Sequence, residues 1–173
     1  MYEVDDKDVV VVLEGVPQSS VGAPNPCVLA DEHTVVLAYY AQNRSAPWTG
    51  IPRMVGPVDS NEPIVIVRLD RRTHMFGQPN DEAFAGHPLA KRGLKPYGAF
   101  RIDNSSWIRR LERMNSVHRL HRAENYWKLQ HLVFSFHDST FECVCLKFDI
   151  RTAQGSISDV IPEMVKLLDW GQP

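Results

Sequence analysis

The stretch LQHLVFSFHDSTFECVCLKFDI, residues 129–150, reads as two strands, Leu129–His137 and Thr140–Ile150, folded back on each other. Aromatic and β-branched residues alternate with polar ones at a period of two, and Asp138-Ser139 supplies the turn chemistry between them. With that turn, Phe136 faces Phe141 and Ser135 faces Glu142. One face of the ribbon is then Leu132, Phe134, Phe136, Phe141, Cys143 and Cys145, a core face. The other carries His131, Val133, Ser135, His137 and Glu142, with His137 diagonal to Glu142 and within side-chain reach.

Upstream of this hairpin lies an amphipathic helix over Ser106–Val117, which Asn104 or Ser105 can cap by accepting the free amides of its first turn. At 100° per residue, Trp107, Leu111, Met114 and His118 share one side, and Arg109, Arg110 and Arg113 the opposite one. Further upstream the chain reads as strands and loops. Asp8–Glu14 has the continuous β-branched character of a strand buried on both faces. Cys27–Ala30 and Thr34–Ala41 form a hairpin around Asp31–His33, and Ile64–Leu69 with Thr73–Phe76 a second one around Asp70–Arg72. Pro88 and Gly93 bracket a short helical piece. Tyr97–Ile102 is a further strand.

Gly15–Pro26 is a loop, and Gln42–Pro63, with four prolines and no periodicity, a lid or binding loop. Downstream, Ser158 or Asp159 caps a last helix through Leu168, with Pro162 in its first turn and Ile161, Val165 and Leu168 on one face. Strands grouped before helices, without βαβ alternation, predict an α+β fold. Its sheet is mostly antiparallel, of about six to eight strands, with a central amphipathic helix and a C-terminal helix packed on it. No repeat or linker divides the chain, so residues 1–173 are expected to form one domain.

The composition, 43 % hydrophobic and 23 % charged over 173 residues, is that of a globular protein. No apolar run approaches the ~18 residues of a membrane span. The acidic start Tyr2-Glu3-Val4-Asp5-Asp6 is unlike a secretory signal. Three cysteines with no Cys-x-x-Cys spacing suit reduced thiols, and together these features predict a cytoplasmic protein without a membrane role. The net charge of −2 is segregated: residues 1–62 carry −6, residues 63–131 carry +7 and residues 132–173 carry −3. A basic middle of this kind pairs with the chain's own acidic ends or attracts an anionic partner.

Candidate chemistry gathers in two places. His118, His121, His131, His137 and Glu142 form a ligand set of imidazoles and a carboxylate that suits Zn²⁺ or Fe²⁺. Without a metal, His137 with Glu142, and with Asp138 beside it, suits acid/base catalysis. The second place is a basic, aromatic surface of Arg109, Arg113, Tyr126 and Trp127, joined by Trp48 on the long loop. No nucleic-acid-binding motif accompanies it, and neither a nucleophile elbow nor a dinucleotide-binding glycine pattern is present. The expected function is binding of a protein partner or small molecule, nucleic acid not being the expected partner. The alternative is a metal-dependent or acid/base enzyme on the histidine face of the hairpin.

Overall fold

The computed structural model describes residues 2–42, 55–58 and 61–168. It is an α+β fold with a seven-stranded antiparallel sheet of order β1-β5-β6-β7-β4-β3-β2. The strands are β1 (Val9–Val12), β2 (Cys27–Ala30), β3 (Thr34–Tyr40), β4 (Glu62–Gly77), β5 (Ala99–Asp103), β6 (Gln130–Ser135) and β7 (Thr140–Gly155). Helices α1 (Ser106–Asn115) and α2 (Glu124–Trp127) separate β5 from β6, and α3 (Ile157–Leu167) follows β7. No helix of the described residues is long and apolar enough to cross a membrane.

The chain divides into two compact units, one of residues 2–14 and 72–147, the other of residues 15–71 and 148–168 among those described. In the second unit, β2 and β3 form the expected hairpin, Cys27 opposite Ala38 and Ala30 opposite Val35. Asp31 closes it by accepting the amides of His33 and Thr34, each at 2.7 Å. All seven residues of β3 are buried.

The expected second hairpin around Asp70–Arg72 does not form; β4 runs through these residues as one strand of 16. Asp70, Arg71 and Arg72 include no glycine, proline or asparagine to favour a turn. Thr34 of β3 stays paired with Asp70, and Arg68 and Asp70, two apart on one face, hold each other at 2.9 Å. A polar triplet here marks a half-exposed strand face.

Helix α3 is capped two residues earlier than expected. The Ser156 hydroxyl accepts the Asp159 amide and the Asp159 carboxylate accepts the Ser156 amide, both at 3.1 Å, a reciprocal capping box. Pro162 therefore sits in the helix interior. The buried stripe is Ile157, Val160, Met164 and Leu168, packed with Val36, Ala38, Tyr40, Ile64 and Ile66, rather than the expected face, and Ile161 and Val165 are exposed.

In the first unit, β1 pairs only with β5 and ends the sheet, so Val9 and Val12 are exposed, contrary to the expectation of burial on both faces. The helical piece before β5 is two 3-10 turns, Phe84–Gly86 and Ala90–Arg92. Pro88 precedes the second, and Gly93 ends it in the left-handed backbone that glycine adopts freely. Leu89, Leu94, Phe100, Ile102, Trp107, Val133 and Val144 belong to one core cluster of this unit.

The corrected stripe of α3 predicts that Met164→Ala lowers unfolding free energy by about 2–5 kcal/mol, as loss of a fully buried side chain does. Ile161→Ala should cost under about 1 kcal/mol. Urea denaturation of both variants measures this, and equal losses would contradict the assigned face.

Candidate functional site

The β6–β7 register decides which polar side chains meet. Ser135 lies opposite Thr140 and Val133 opposite Glu142, and the Phe136 amide donates to the Ser139 carbonyl at 2.8 Å. The turn is therefore His137-Asp138, centred one residue before the expected Asp138-Ser139. Leu132, Phe134, Phe136, Phe141, Cys143 and Cys145 keep their common buried face, and the cysteines are free thiols. On the other face the residue diagonal to Glu142 becomes His131, while His137 moves off the ladder into the turn.

Glu142 is a buried carboxylate with three donors. Its Oε2 accepts the Tyr2 hydroxyl at 2.6 Å and His131 Nε2 at 2.9 Å, and its Oε1 accepts His87 Nε2 at 3.2 Å. The tautomers follow from the outer partners. His87 Nδ1 accepts the Leu89 amide at 3.1 Å, so its proton is on Nε2, toward the carboxylate. His131 Nδ1 lies 2.9 Å from the Ser105 hydroxyl, whose oxygen also accepts the Ile108 amide at 3.3 Å as the cap of α1.

The neighbouring Asp8, also buried, accepts the Ser106 amide at 2.7 Å, so the first turn of α1 is tied to the N-terminal segment as well. Tyr2 stacks on Trp107 with ring centroids 5.2 Å apart. Burial alone would raise the Glu142 carboxyl, but the hydrogen bonds from His131 and His87 overcome it and hold it down at about 2. Burial and Glu142 together push the Tyr2 phenol far up, which keeps it a donor. The N-terminal segment, the 84–94 loop and α1 cover the face. The arrangement orders those segments around one ionised carboxylate.

His137 belongs to a different, solvent-facing group. Its Nδ1 lies 3.0 Å from Asp81 Oδ2 and 2.8 Å from the Tyr97 hydroxyl, and the Tyr97 hydroxyl also donates to Asp81. Asp138 is at the surface, its Oδ1 3.9 Å from His137 Nε2. The proposed metal ligands thus separate. His131 and Glu142 meet in the core, and His137 pairs with Asp81. His121 Nε2 binds Glu112 at 2.7 Å, and His118 Nδ1 accepts the Leu120 amide. Among the described residues no group of three or more His, Cys, Asp or Glu side chains is placed to hold an ion, Zn²⁺ and Fe²⁺ included.

The α1–α2 region forms a third locus. Helix α1 stops at Asn115, two residues short of the expected end, where the Ser116 hydroxyl bonds back to the Arg113 carbonyl at 2.7 Å. Its apolar stripe therefore runs out of the core: Trp107 is buried, Leu111 half-buried and Met114 exposed. Beyond it, Val117, Leu120 and Trp127 are 91 %, 70 % and 76 % exposed. A cavity of about 830 Å³ opens beside Trp127, with Arg109, Glu112, Tyr126 and Lys128 also in its wall.

Of the expected binding residues, Arg109, Tyr126 and Trp127 share this cavity and Arg113 lies outside it. Trp48 falls outside the described residues, as do positions 43–54 of the long loop. The Arg109 guanidinium is held by Asp5 at 2.8 Å and by Asp8 at 3.6 Å, so it anchors the N-terminal segment.

Tyr2, Asp81, His87, Tyr97 and Ser105 complete these groups without having been singled out for chemistry. Tyr2 and His87 lie in segments without periodicity, and Ser105 reads only as a helix cap. Placing the turn one residue earlier is the one change that brings His131 to Glu142.

A depressed carboxylate stabilises the fold at pH values above its unfolded value, and that contribution is lost as the pH falls toward the folded value. Glu142 should therefore contribute fully above its ordinary value of 4.5, and lose the contribution as pH falls toward about 2. The amount at stake is about 3 kcal/mol. Glu142→Gln should destabilise the protein by about 3 kcal/mol at neutral pH, because an amide nitrogen then faces one of the three donors. It should also flatten the acid limb of the stability curve. His137→Ala, at the surface, should change stability by under about 1 kcal/mol. Urea titrations across this pH range test all three, and an unchanged acid limb in Glu142→Gln would refute the assignment. Compared with known protein families, with curated proteins and with solved structures, the chain matches none.

Proposed function

We propose that the protein binds an acidic partner segment carrying apolar side chains, and that the α1–α2 surface receives it. The observation that carries this reading is the company the exposed apolar residues keep. Met114, Val117, Leu120 and Trp127 stand in solvent among Arg110, Arg113, Arg119, Arg122 and Lys128, and no carboxylate occurs from Arg113 to Ala123. Among the described residues none of these five cations makes an ion pair; Glu112 is bound to His121, and Glu124 opens α2. Large exposed apolar side chains grouped within a short basic stretch of chain mark an interaction site more often than an ordinary surface.

The division of labour follows from the chemistry. Trp127 and Met114 supply area to bury, and Tyr126 lies in the walls of both the 830 Å³ cavity and a second one of about 500 Å³ that Met114 also lines. Aromatic anchors of this kind concentrate binding energy, whereas the unpaired arginines raise encounter rate and select for negative charge. Nucleic acid offers charge and stacking bases but no aliphatic groups for Val117 and Leu120, which favours a peptide.

The test uses three labelled peptides: Asp/Glu-rich with Leu and Phe, the same acidic peptide with Ser in place of Leu and Phe, and a Lys-rich peptide with Leu and Phe. A single-stranded oligonucleotide is the fourth probe. The first peptide alone should bind, more weakly as salt rises, and Trp127→Ala or Arg113→Glu should each weaken it about tenfold, equivalent to about 1.4 kcal/mol. Equal binding of the basic peptide, tighter binding of the oligonucleotide, or indifference to both substitutions would each overturn the reading.

A further inference from the structure

Independently of the α1–α2 surface, the group around His137 has the geometry of a nucleophile held ready. Three segments build it. Asp81 lies in the loop after β4, and its amide donates to the His137 carbonyl at 2.8 Å, which fixes the turn. The Thr140 hydroxyl donates to the Pro79 carbonyl at 3.0 Å and ties the same loop to the start of β7. Tyr97 precedes β5 with a φ of +60°, a left-handed backbone that L side chains rarely adopt. Next to it, Gly98 is clamped by the Ser135 hydroxyl at 3.0 Å. Strained positions held by their surroundings in this way cluster at functional sites.

The proton count fixes the tautomer of the neutral imidazole. The Asp81 carboxyl is held below its ordinary value, first by the Tyr97 hydroxyl, and burial with Asp81 pushes the Tyr97 phenol up to about 12. Tyr97 therefore keeps its single proton and donates it to Asp81. That proton cannot also serve His137, so the short contacts from His137 Nδ1 to Asp81 and to Tyr97 both require a hydrogen on Nδ1. In the neutral imidazole the lone pair is then on Nε2, on a side chain 43 % exposed. The group near it is Asp138, whose Oδ1 at 3.9 Å disfavours an anionic reactant. An imidazole oriented through its other nitrogen by a carboxylate is the arrangement that activates histidine as base or nucleophile.

We propose that His137 Nε2 is an acyl-accepting nucleophile for neutral or cationic activated esters, with Asp81 and Tyr97 as its positioning residues. The Nε2 lone pair attacks the acyl carbon, and the C–O bond breaks with its electron pair going to the leaving oxygen. The imidazole then carries the acyl group on Nε2 and the proton on Nδ1, and Asp81 offsets the positive charge. Water adds to the acyl carbon and the C–N bond breaks, returning its pair to Nε2. The carboxylate and two protons leave, one of which neutralises the released oxyanion.

Diethyl pyrocarbonate, a neutral acylating reagent, tests this on the whole chain, with the modified histidines mapped by mass spectrometry over time. His137 should be acylated several-fold faster than the exposed His33 of the same molecules. Asp81→Asn should remove that advantage and leave the His33 rate unchanged, which controls for folding. Tyr97→Phe should reduce the advantage in part. A neutral nitrophenyl ester should be hydrolysed several-fold faster than one bearing a carboxylate, and His137→Gln should abolish the difference. His137 reacting no faster than His33, or an advantage that survives Asp81→Asn, would overturn the proposal.

Discussion

An ionised carboxylate in an apolar interior has to be met by donors, and Glu142 determines how much of the first unit can be arranged. Its three donors come from places far apart in the chain: Tyr2 in the N-terminal segment, His87 between the two 3-10 turns and His131 on β6. The first two lack a long periodic apolar pattern that would fix their position by burial alone, and bonding to one charge positions them against β6, which its own ladders hold. Removing any donor leaves part of a buried negative charge unmatched, a larger penalty than the mean worth of a hydrogen bond. The Ser105 hydroxyl carries the constraint one step further, since it joins His131 to the first turn of α1.

That dependence explains which parts of the fold were legible in the sequence. The β2–β3 hairpin, the β6–β7 ribbon with its core face and the Ser105 cap of α1 all rest on local rules, namely side-chain alternation and satisfaction of free amides. Local rules misplace elements whose boundaries are set by distant partners. Asp70–Arg72 looks like a turn until β3 is beside it, and the cap of α3 could be assigned to Ser158 or Asp159 because Ser156 offers the same chemistry nearby.

The sites show the same division more sharply. Moving the turn by one residue replaces His137 by His131 as the partner of Glu142, so that the expected dyad gives way to a buried network. Parity protects the faces, since such a move shifts the pairing by two residues and every side chain keeps its side of the sheet. It does not protect the identity of neighbours. Asp81 and Tyr97 meet His137 across 56 and 40 residues of sequence, separations at which no spacing rule operates. The α1–α2 surface was partly legible because charge and aromatic content are additive along the chain, whereas α1 ends early where both the amide and the hydroxyl of Ser116 bond the Arg113 carbonyl.

The division of the chain into two units has a consequence for how the molecule is made. Both units are discontinuous: one joins residues 2–14 to 72–147, the other residues 15–71 to 148–168. On the ribosome, β1 waits for β5 and Tyr2 waits for Glu142, while β3 emerges long before α3 can cover Val36, Ala38 and Tyr40. At about 5–20 residues per second the early strands spend several seconds without their partners. The short, acid-flanked β1 tolerates that wait well. The fully buried, mostly apolar β3 is the segment that a holding chaperone would have most reason to shield.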